Sequence, residues 1–349
     1  MTFDIALWLA QDGLTNGAIY ALLALALLLV FSVTRIIFVP QGDFISFAAL
    51  SYATLQAGQA PSFVYVPVIA GLLAAILETV SAIRSRAYRK IGPSLLGYFI
   101  VPCLVAAMVG WAAPLKLGPL WQSLMVIAML VPLGPIVYRL AFQPAASSSV
   151  LVLFMAAVAV HYILQGLGLI AFGGEGLRAA PVADASISLG PIQASVQSLL
   201  VLLMNMLIML GLWLFMGRTM LGQALRATAF NRVGSRLVGI QPQLAGSISM
   251  LLAALIGTLS GLLIAPLTTI YYDTGFLIGI KGFVGAVLGG MASFPLAALG
   301  SVMLGLIEAF ASFAFSAFKE AIVFALTIPA LIWLCLRSRH VANDSEEDE

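Results

Sequence analysis

Long apolar runs repeat along the whole chain, separated by short segments rich in glycine, proline or charged residues. A run of about 20 apolar residues is the length that an α-helix needs to cross the hydrocarbon core of a bilayer. Inside that core the backbone must satisfy its own hydrogen bonds, so segments that face lipid are helical. The pattern predicts eleven membrane helices, at 14–33, 42–59, 63–83, 94–113, 120–138, 149–172, 197–215, 244–265, 276–291, 296–315 and 320–336.

Two of these helices are less regular than the others. Helix 42–59 is short, and the stretch 279–290 is interrupted by glycines. Each of the two segments is therefore predicted either to span the membrane or to be re-entrant or broken. The predicted fold class is an all-α polytopic membrane protein with about 9–11 transmembrane helices. We expect one transmembrane domain over residues 1–340 and a disordered acidic tail at 341–349.

The composition agrees with a lipid-facing exterior. Hydrophobic residues make up 62% of the chain and charged residues only 9%, whereas a soluble domain carries about 25% charged residues. The first apolar run lacks the flanks of a cleaved signal peptide, so we expect it to remain in the membrane. If the basic cluster 84–90 is cytoplasmic and successive helices alternate in direction, most Lys and Arg residues lie on the cytoplasmic side. Lys281 then lies outside or near the outer face. This predicts the N-terminus outside and the C-terminus inside.

The sequence lacks the motifs of common enzymes and metal sites. There is no G-x-x-x-x-G-K-[ST] phosphate loop, so the chain is not expected to hydrolyse ATP itself. We predict no catalytic residues and no metal site, because the two cysteines and two histidines are far apart in sequence. A net charge of +2 without a long basic block gives no indication of nucleic-acid binding.

The most informative polar stretch is GRTMLGQALRATAFNRVGSRLVGIQPQ, which we call the 217–243 segment. Its pattern predicts a short polar helix and then a second helical turn that stops at Gly239. On the cytoplasmic face, such a helix–turn–helix suits a groove on a soluble partner, with Arg226, Arg232 and Arg236 available for carboxylates. The alternative is an ordinary basic loop that only fixes the orientation of the protein.

The same segment resembles the cytoplasmic coupling loop of the branched-chain amino-acid ABC permease family, which includes urea- and amide-transporting relatives. The family pattern G-x-A-L-R-A-x-A-x-N is matched by GQALRATAFN at 222–231, followed by Gly239-Ile240. Three more blocks are similar to the family and follow its order: GLTNGAIYALLALALLLVFSV at 13–33, VYRLAFQPAASSSVLVLF at 137–154 and GIKGFVGAVLGGMASFPLAALGSVMLGLIEAF at 279–310. Together the blocks cover well over half of the chain.

The resemblance implies the permease subunit of an ABC importer in a bacterial-type plasma membrane, for a branched-chain type of amino acid or for urea or an amide. It implies a second permease, identical or similar, and two cytoplasmic ATPase subunits that use the ATP, with no cofactor bound by this chain. It also implies an extracytoplasmic solute-binding protein, for which the outer loop 173–196 is the natural contact. The residues it assigns to coupling with the ATPase are Gly222, Leu225, Arg226, Asn231, Arg232 and Gly239.

Three features depart from the family. Its N-F-A-H-G-[ED] motif is replaced by FVPQGD at 38–43, so an imidazole and an amide that would face solute are missing there. The region 78–120 contains extra sequence with one or two additional spans, and the closing R-P-x-G-[LI]-F-G is absent. The sequence therefore defines the transport class better than it defines the solute.

Polar residues inside the apolar helices are candidates for the transport pathway or its gate, because such residues are expensive in a membrane and often functional. The candidates are Asn16, Tyr20, Gln41, Asp43 and Glu308. Asp43 also suits a helix N-terminus, and Asn16 with Tyr20, one turn apart, also suits helix packing.

The remaining interior residues are interpreted as structural. Glu78 is expected to pair with the basic cluster 84–90, and His161 to be a packed, hydrogen-bonded histidine. Small residues four apart predict close helix contacts at Gly13/Gly17, Gly257/Gly261, Gly275/Gly279 and Gly285/Gly289. A stand-alone ion-coupled secondary transporter or channel is the alternative function, and a membrane scaffold without transport is a third.

Overall fold

The computed structural model describes residues 3–86, 88–181, 186–189, 192–291 and 293–325, together with 328, 329 and 332. The predicted acidic tail at 341–349 and the end of the last predicted helix lie outside the described residues. In this part of the chain the regular elements are α1 (Phe3–Thr34), α2 (Asp43–Gln56), α3 (Tyr65–Arg84), α4 (Ile91–Leu95), α5 (Val101–Ala112), α6 (Pro119–Leu130), α7 (Leu133–Val137), α8 (Val150–Phe172), β1 (Ser186–Leu189), β2 (Ile192–Ser195), α9 (Val196–Arg218), α10 (Met220–Phe230), α11 (Arg232–Leu237), α12 (Pro242–Ile264), α13 (Thr274–Leu288), α14 (Phe294–Ala314) and α15 (Lys319–Ala325).

Eight of the described helical segments are long and apolar enough to cross a membrane, which confirms the all-α polytopic class. Two of the eight contain a π-helical turn, Ile91–Leu115 at Leu96–Ile100 and Pro119–Phe142 at Tyr138–Phe142. Prolines within both segments remove backbone donors and so interrupt the regular hydrogen bonding. In the region 78–120, one candidate span, Ile91–Leu115, separates α3 from the next.

Helix α1 lies at the centre of the bundle and packs against α9, α12, α13 and α14. It begins at Phe3, so the predicted start at residue 14 is wrong by about three turns. The extra turns are partly exposed and continue the helix. Asp4 lies in the first turn, where a carboxylate interacts favourably with the positive end of the helix dipole.

Glycines allow α1 and α14 to approach closely. An added Cβ on Gly13 would lie 2.8 Å from Cα of Leu306, and one on Gly17 would lie 2.8 Å from Cα of Val302. An added Cβ on Gly305 would meet the Gly17 backbone. Small residues at such contacts let membrane helices gain van der Waals packing. The other predicted pairs are also at helix contacts, Gly257 and Gly261 against α2, Gly275 and Gly279 against Gly42, and Gly285 and Gly289 against α14.

Replacing Gly305 with alanine is expected to reduce the stability of the bundle by about 1–3 kcal/mol, because the new methyl group must separate two packed backbones. Thermal unfolding of the purified protein in detergent measures this loss. The matched control is Gly110→Ala in α5, where an added Cβ meets nothing within 4 Å. A Gly305→Ala protein as stable as this control would contradict the close packing of α1 on α14.

Helices α2 and α13 contain 14 and 15 residues, so at about 1.5 Å per residue neither reaches the ~30 Å of a hydrocarbon core. The prediction that these two segments are short is confirmed. Helix α2 is buried along most of its length, between α6, α12 and α13. The backbone N–H of Gly275 donates to Oγ of Ser46 at 2.7 Å, which ties the beginning of α13 to α2.

The connection between α8 and α9 is more ordered than a loop. Strands β1 and β2 pair antiparallel as a hairpin, with Leu189 opposite Ile192. Nearer α8, Leu177 forms a bridge with Ile270, and Nε of Arg178 donates to the carbonyl oxygen of Pro266 at 3.1 Å. The α8–α9 connection therefore lies against the α12–α13 connection, at one end of the bundle.

Candidate functional site

The chain between α9 and α12 folds into two short helices whose ends are capped by side chains. Oγ1 of Thr219 accepts the N–H of Gly222 at 3.0 Å, at the beginning of α10. Asn231 ends α10, and its Oδ1 accepts two backbone N–H groups of α11 at 3.0 and 2.8 Å. Threonine and asparagine are favoured at N-caps because they satisfy these otherwise unpaired donors. The helix–turn–helix expected of the 217–243 segment is present.

Helix α10 is fixed onto the transmembrane helices by its buried face. Leu225 is 1% exposed and belongs to a cluster with Leu29 and Val33 of α1 and with Ala245 of α12. A Cβ on Gly222 would meet the backbone of the last turn of α9. A displacement of α10 must therefore press on α1, α9 and α12.

The other residues predicted to couple to an ATPase contribute to the fold of the 217–243 segment itself. Nη2 of Arg226 donates to the carbonyl oxygen of Met216 in α9 at 2.6 Å. Nε of Arg232 is buried and has no hydrogen-bond partner among the described residues. Gly239 follows α11 with a φ of +85°, a conformation that favours glycine. Their direct contact with a partner stays a prediction.

Large apolar side chains project from the same segment. Phe230 is 95% exposed and Leu237 is 85% exposed, at the last residues of α10 and α11. Val233 and Val238, beside them in the chain, are also exposed. We call these four residues the apolar tip. Exposed apolar side chains grouped on a polar segment are typical of a surface that binds another protein.

A buried carboxyl–imidazole hydrogen bond joins α2 to α8. Nδ1 of His161 donates to both carboxylate oxygens of Asp43, at 3.0 and 2.9 Å, and the two side chains are 3% and 1% exposed. The imidazole also stacks on Phe276 of α13, with ring centroids 4.3 Å apart. The imidazole that the sequence lacks at Gln41 is thus supplied to the acid at position 43 by another helix. His161 is packed as expected, but against a charge.

A second buried group of charges joins α1, α13, α14 and α15. Nζ of Lys281 contacts Glu308 at 2.6 Å and Glu320 at 3.1 Å. The hydroxyl group of Tyr20 donates to the other oxygen of Glu308 at 2.7 Å, and the Tyr20 ring centroid lies 5.8 Å from Nζ. Lys281 is 5% exposed, so it lies in the interior and not at the outer face where the sequence pattern put it.

The predicted pathway residues separate into different surroundings. Tyr20 and Glu308 belong to the Lys281 group, whereas Asn16 is partly exposed on α1 and its side chain makes no hydrogen bond within the described residues. Gln41 is fully buried and its Nε2 donates to the carbonyl oxygen of Ala253 at 3.0 Å. The structure therefore does not bring the five candidates together into one site.

The expected pairing of Glu78 with the basic cluster 84–90 is wrong. Nε of Arg139 donates to Oε2 of Glu78 at 2.5 Å, and the two side chains are 15% and 23% exposed. Arg139 lies in the π-helical turn at Tyr138–Phe142, which is packed against α3. Glu78 is paired with a partner on an adjacent packed helix and not with the basic residues that follow it in the chain.

Lys281, His161 and the apolar tip are the features that sequence reasoning undervalued. The sequence does point to Lys281, because a lysine inside an apolar stretch is expected to be paired and functional. His161 differs, since its partner Asp43 is 118 positions away and the pattern of α8 alone does not reveal it. Within the described residues, no three His, Cys, Asp or Glu side chains lie close enough together to hold a metal ion.

These features connect helices to one another. Polar and charged side-chain pairs tie the short helices α2 and α13 to longer neighbours. The buried face of α10 packs on α1 and α12, and the apolar tip stays exposed.

Known proteins give a consistent comparison. The model of the family described as branched-chain amino acid transport system, permease component, matches residues 9–331. The high-affinity branched-chain amino acid transport permease BraD of Pseudomonas aeruginosa is 27% identical over 242 residues, covering 67% of this chain and 78% of BraD. LivH of Salmonella typhimurium, named for the same kind of system, is 23% identical over 328 residues, covering 92% of this chain and 91% of LivH. No solved structure matches the chain.

Proposed function

The chain belongs to the branched-chain amino acid transport permease family, the membrane subunits of ABC importers, and we propose that it carries a small aliphatic amino acid of the branched-chain type. Separate ATPase subunits bind the 217–243 segment and supply the energy. The names of the relatives BraD and LivH support the solute class. A urea- or amide-type solute remains the alternative from the sequence resemblance.

The observation that carries the coupling proposal is the exposure of the apolar tip. Aromatic side chains that fill a pocket at the centre of an interface supply much of its binding energy. Phe230 is 95% exposed on a rigid capped helix, so it enters such a pocket at low entropic cost. Arg236, exposed on α11, is available for a carboxylate on the partner.

The anchoring of α10 supplies the route for the force. Leu225 packs on Leu29 and Val33, near the end of α1, and on Ala245 near the beginning of α12. Closure of the ATPase subunits moves the apolar tip, and α10 passes the displacement to α1 and α12. These two helices contact α2 and α13, so the interior ion pairs lie on the path of the motion.

The orientation and assembly follow from the same proposal. The basic 217–243 segment faces the cytoplasm of a bacterial cell, which puts the N-terminus outside and the C-terminus inside. The α8–α9 connection then lies outside, where a solute-binding protein docks. A second permease, identical or similar, completes the passage, and two ATPase subunits bind the pair.

Substitution of Phe230 by serine is expected to weaken ATPase binding by about 30-fold, because a buried aromatic anchor contributes about 2 kcal/mol or more. Retention of the ATPase subunits by the tagged permease in detergent measures binding, and ATP-dependent uptake into proteoliposomes measures coupling. Both should fall together.

The matched control for Phe230 is Leu115→Ser, because Leu115 is 54% exposed at the end of a different span. Its binding and uptake should equal those of the wild-type protein. Unchanged ATPase retention and uptake in Phe230→Ser would contradict the coupling proposal. Uptake that needs no ATPase subunit and collapses with an uncoupler would instead favour an ion-coupled carrier.

A further inference from the structure

The turn between α3 and α4 has a high density of positive charge. Residues 84–90, which we call the basic turn, read RSRAYRK, with four basic residues in seven positions and no acidic residue. Arg84, Arg86 and Arg89 are exposed, and none of the three forms an ion pair with another described residue. Tyr88 is 62% exposed among them. The basic turn therefore has no charge partner within the part of the chain that the structure describes.

The basic turn lies at the end of the bundle that carries the 217–243 segment. Glu78, in the last two turns of α3, pairs with Arg139. Tyr138, next to Arg139 in the chain, lies against Gly246, where an added Cβ would meet the tyrosine ring. Gly246 is near the beginning of α12, the helix that follows α11. The end of α3 and the 217–243 segment are therefore on the same side of the membrane.

An open cleft of about 470 Å³ leads along α3 to the basic turn. It is lined by Leu77, Val80, Ser81, Arg84 and Ser85. These positions share one face of the helix and cover about 12 Å of its length. Leu77 and Val80 are 47% and 44% exposed at one end, and Arg84 lies at the other. The cleft is therefore apolar toward the interior of the membrane and basic toward its surface.

Arg84 is the group in the cleft that can bind an anion. Glu78 is next to Leu77 in the chain, but its carboxylate is already paired with Arg139 and does not compete. Oγ of Ser85 donates to the carbonyl oxygen of Ser81 at 2.9 Å, so this hydroxyl group has no proton left to donate. The guanidinium group of Arg84 makes no hydrogen bond within the described residues, which leaves its five N–H donors free.

A phospholipid with a negatively charged headgroup matches both halves of the cleft. Its phosphate group accepts two N–H groups from one guanidinium in a planar arrangement. Its acyl chains suit the exposed apolar side chains of Leu77 and Val80, which an acidic protein segment does not. Clusters of four or more Lys and Arg directly beyond a membrane helix attract anionic lipids, with a gain in affinity of about fivefold per residue. Tyrosine, as at Tyr88, is also enriched at the membrane surface.

We propose that α3 and the basic turn bind an anionic phospholipid, with the guanidinium group of Arg84 on the headgroup phosphate and an acyl chain along Leu77 and Val80. Arg86 and Arg89 lie outside the cleft and add attraction by charge alone. This site is separate from the passage for the solute, so it does not depend on which solute the protein carries.

Native mass spectrometry of the full chain in a neutral detergent tests this site, with phosphatidylglycerol as the anionic probe and phosphatidylcholine as the neutral one. The wild-type protein should bind phosphatidylglycerol more tightly than phosphatidylcholine. Arg84→Gln should weaken the first phosphatidylglycerol by at least about tenfold, because charge-assisted hydrogen bonds to the phosphate are lost. Arg86→Gln removes the same charge outside the cleft and should weaken it by only about fivefold.

The matched control is Lys116→Gln, which removes one exposed positive charge at the opposite end of the span Ile91–Leu115. Its affinity for phosphatidylglycerol should equal that of the wild-type protein. Because all three substituted side chains are exposed, the unfolding midpoints of the variants should match the wild-type value, and a weaker affinity then reports binding and not folding.

Three results would overturn the proposed site. The first is a wild-type protein that binds both lipids equally, or an Arg84→Gln variant that binds phosphatidylglycerol as tightly as Lys116→Gln does. The second is an equal loss in Arg84→Gln and Arg86→Gln, which would show diffuse attraction without a contact in the cleft. The third is a preference for phosphatidylglycerol that appears only in Glu346→Gln/Glu347→Gln, which would assign the basic turn to the acidic end of the chain.

Discussion

Replacing Lys281 with methionine is expected to lower the stability of the folded protein by about 3 kcal/mol, the lower end of the effect of breaking a buried ion pair. Nζ of Lys281 lies between Glu308 and Glu320, at 2.6 and 3.1 Å. Without the lysine, two carboxylates face each other in an interior that includes Tyr20. Glu320 is 39% exposed, so water solvates part of its charge. The loss of stability therefore stays at the lower end of the range.

The unfolding midpoint of the purified protein in detergent gives the measurement, and Lys116→Met is the control because Lys116 is exposed. The double variant Lys281→Met/Glu308→Gln removes one negative charge as well and should recover part of the loss. An unfolding midpoint for Lys281→Met equal to that of Lys116→Met would show that the charges are not paired in the folded protein. A double variant less stable than the single one would contradict charge repulsion as the cause.

The fold class was predictable because it depends on local properties of the chain. Apolar runs of bilayer length must be helical, and the short run at 42–59 and the glycines in 279–290 indicate the two short helices α2 and α13. The pattern of small residues at Gly13 and Gly17 likewise indicates a close contact, although it does not say with which helix. Helix boundaries were less accurate, since α1 continues to Phe3 in a region of mixed polarity.

The candidate site was only partly predictable because its contacts join distant parts of the chain. Tyr20 and Glu308 were both selected from the sequence, yet their hydrogen bond spans 288 positions and no local pattern relates them. The alternation of helix directions places Lys281 near a membrane face, because that pattern assigns a cation to a loop unless a buried partner is known. Its partner became visible only when α13 and α14 were brought together.

The 217–243 segment shows a different limit of sequence reasoning. Resemblance selects Leu225, Arg226 and Asn231, which the structure uses to cap and anchor the two helices. The residues that fold the segment make contacts within the chain, whereas Phe230 is exposed, and the role that we propose for it depends on a partner outside the chain. Burial and exposure, which separate the two roles, follow from the packing of α10 on α1 and α12.

Replacing His161 with leucine is expected to destabilise the protein by about 3–5 kcal/mol, because Asp43 is then a buried carboxylate without a partner. The pair is more deeply buried than the Lys281 group, with side chains 3% and 1% exposed. Uptake should fall in the protein that still folds, since α2 and α8 lose the hydrogen bond that joins them. Unfolding midpoints and initial uptake rates at equal protein amounts are the measurements.

Three variants and a control distinguish a hydrogen-bonding partner from a packing residue. His161→Asn keeps a donor close to the position of Nδ1 and should retain more uptake than His161→Gln, whose amide extends toward the position of Nε2. Asp43→Asn/His161→Leu removes the unpaired charge, so it should be more stable than His161→Leu alone. Tyr162→Leu, an adjacent change at a side chain that is 65% exposed, should resemble the wild-type protein. If the double variant is no more stable than His161→Leu, the imidazole contributes packing on Phe276, and its hydrogen bond with Asp43 does not hold α8 to α2.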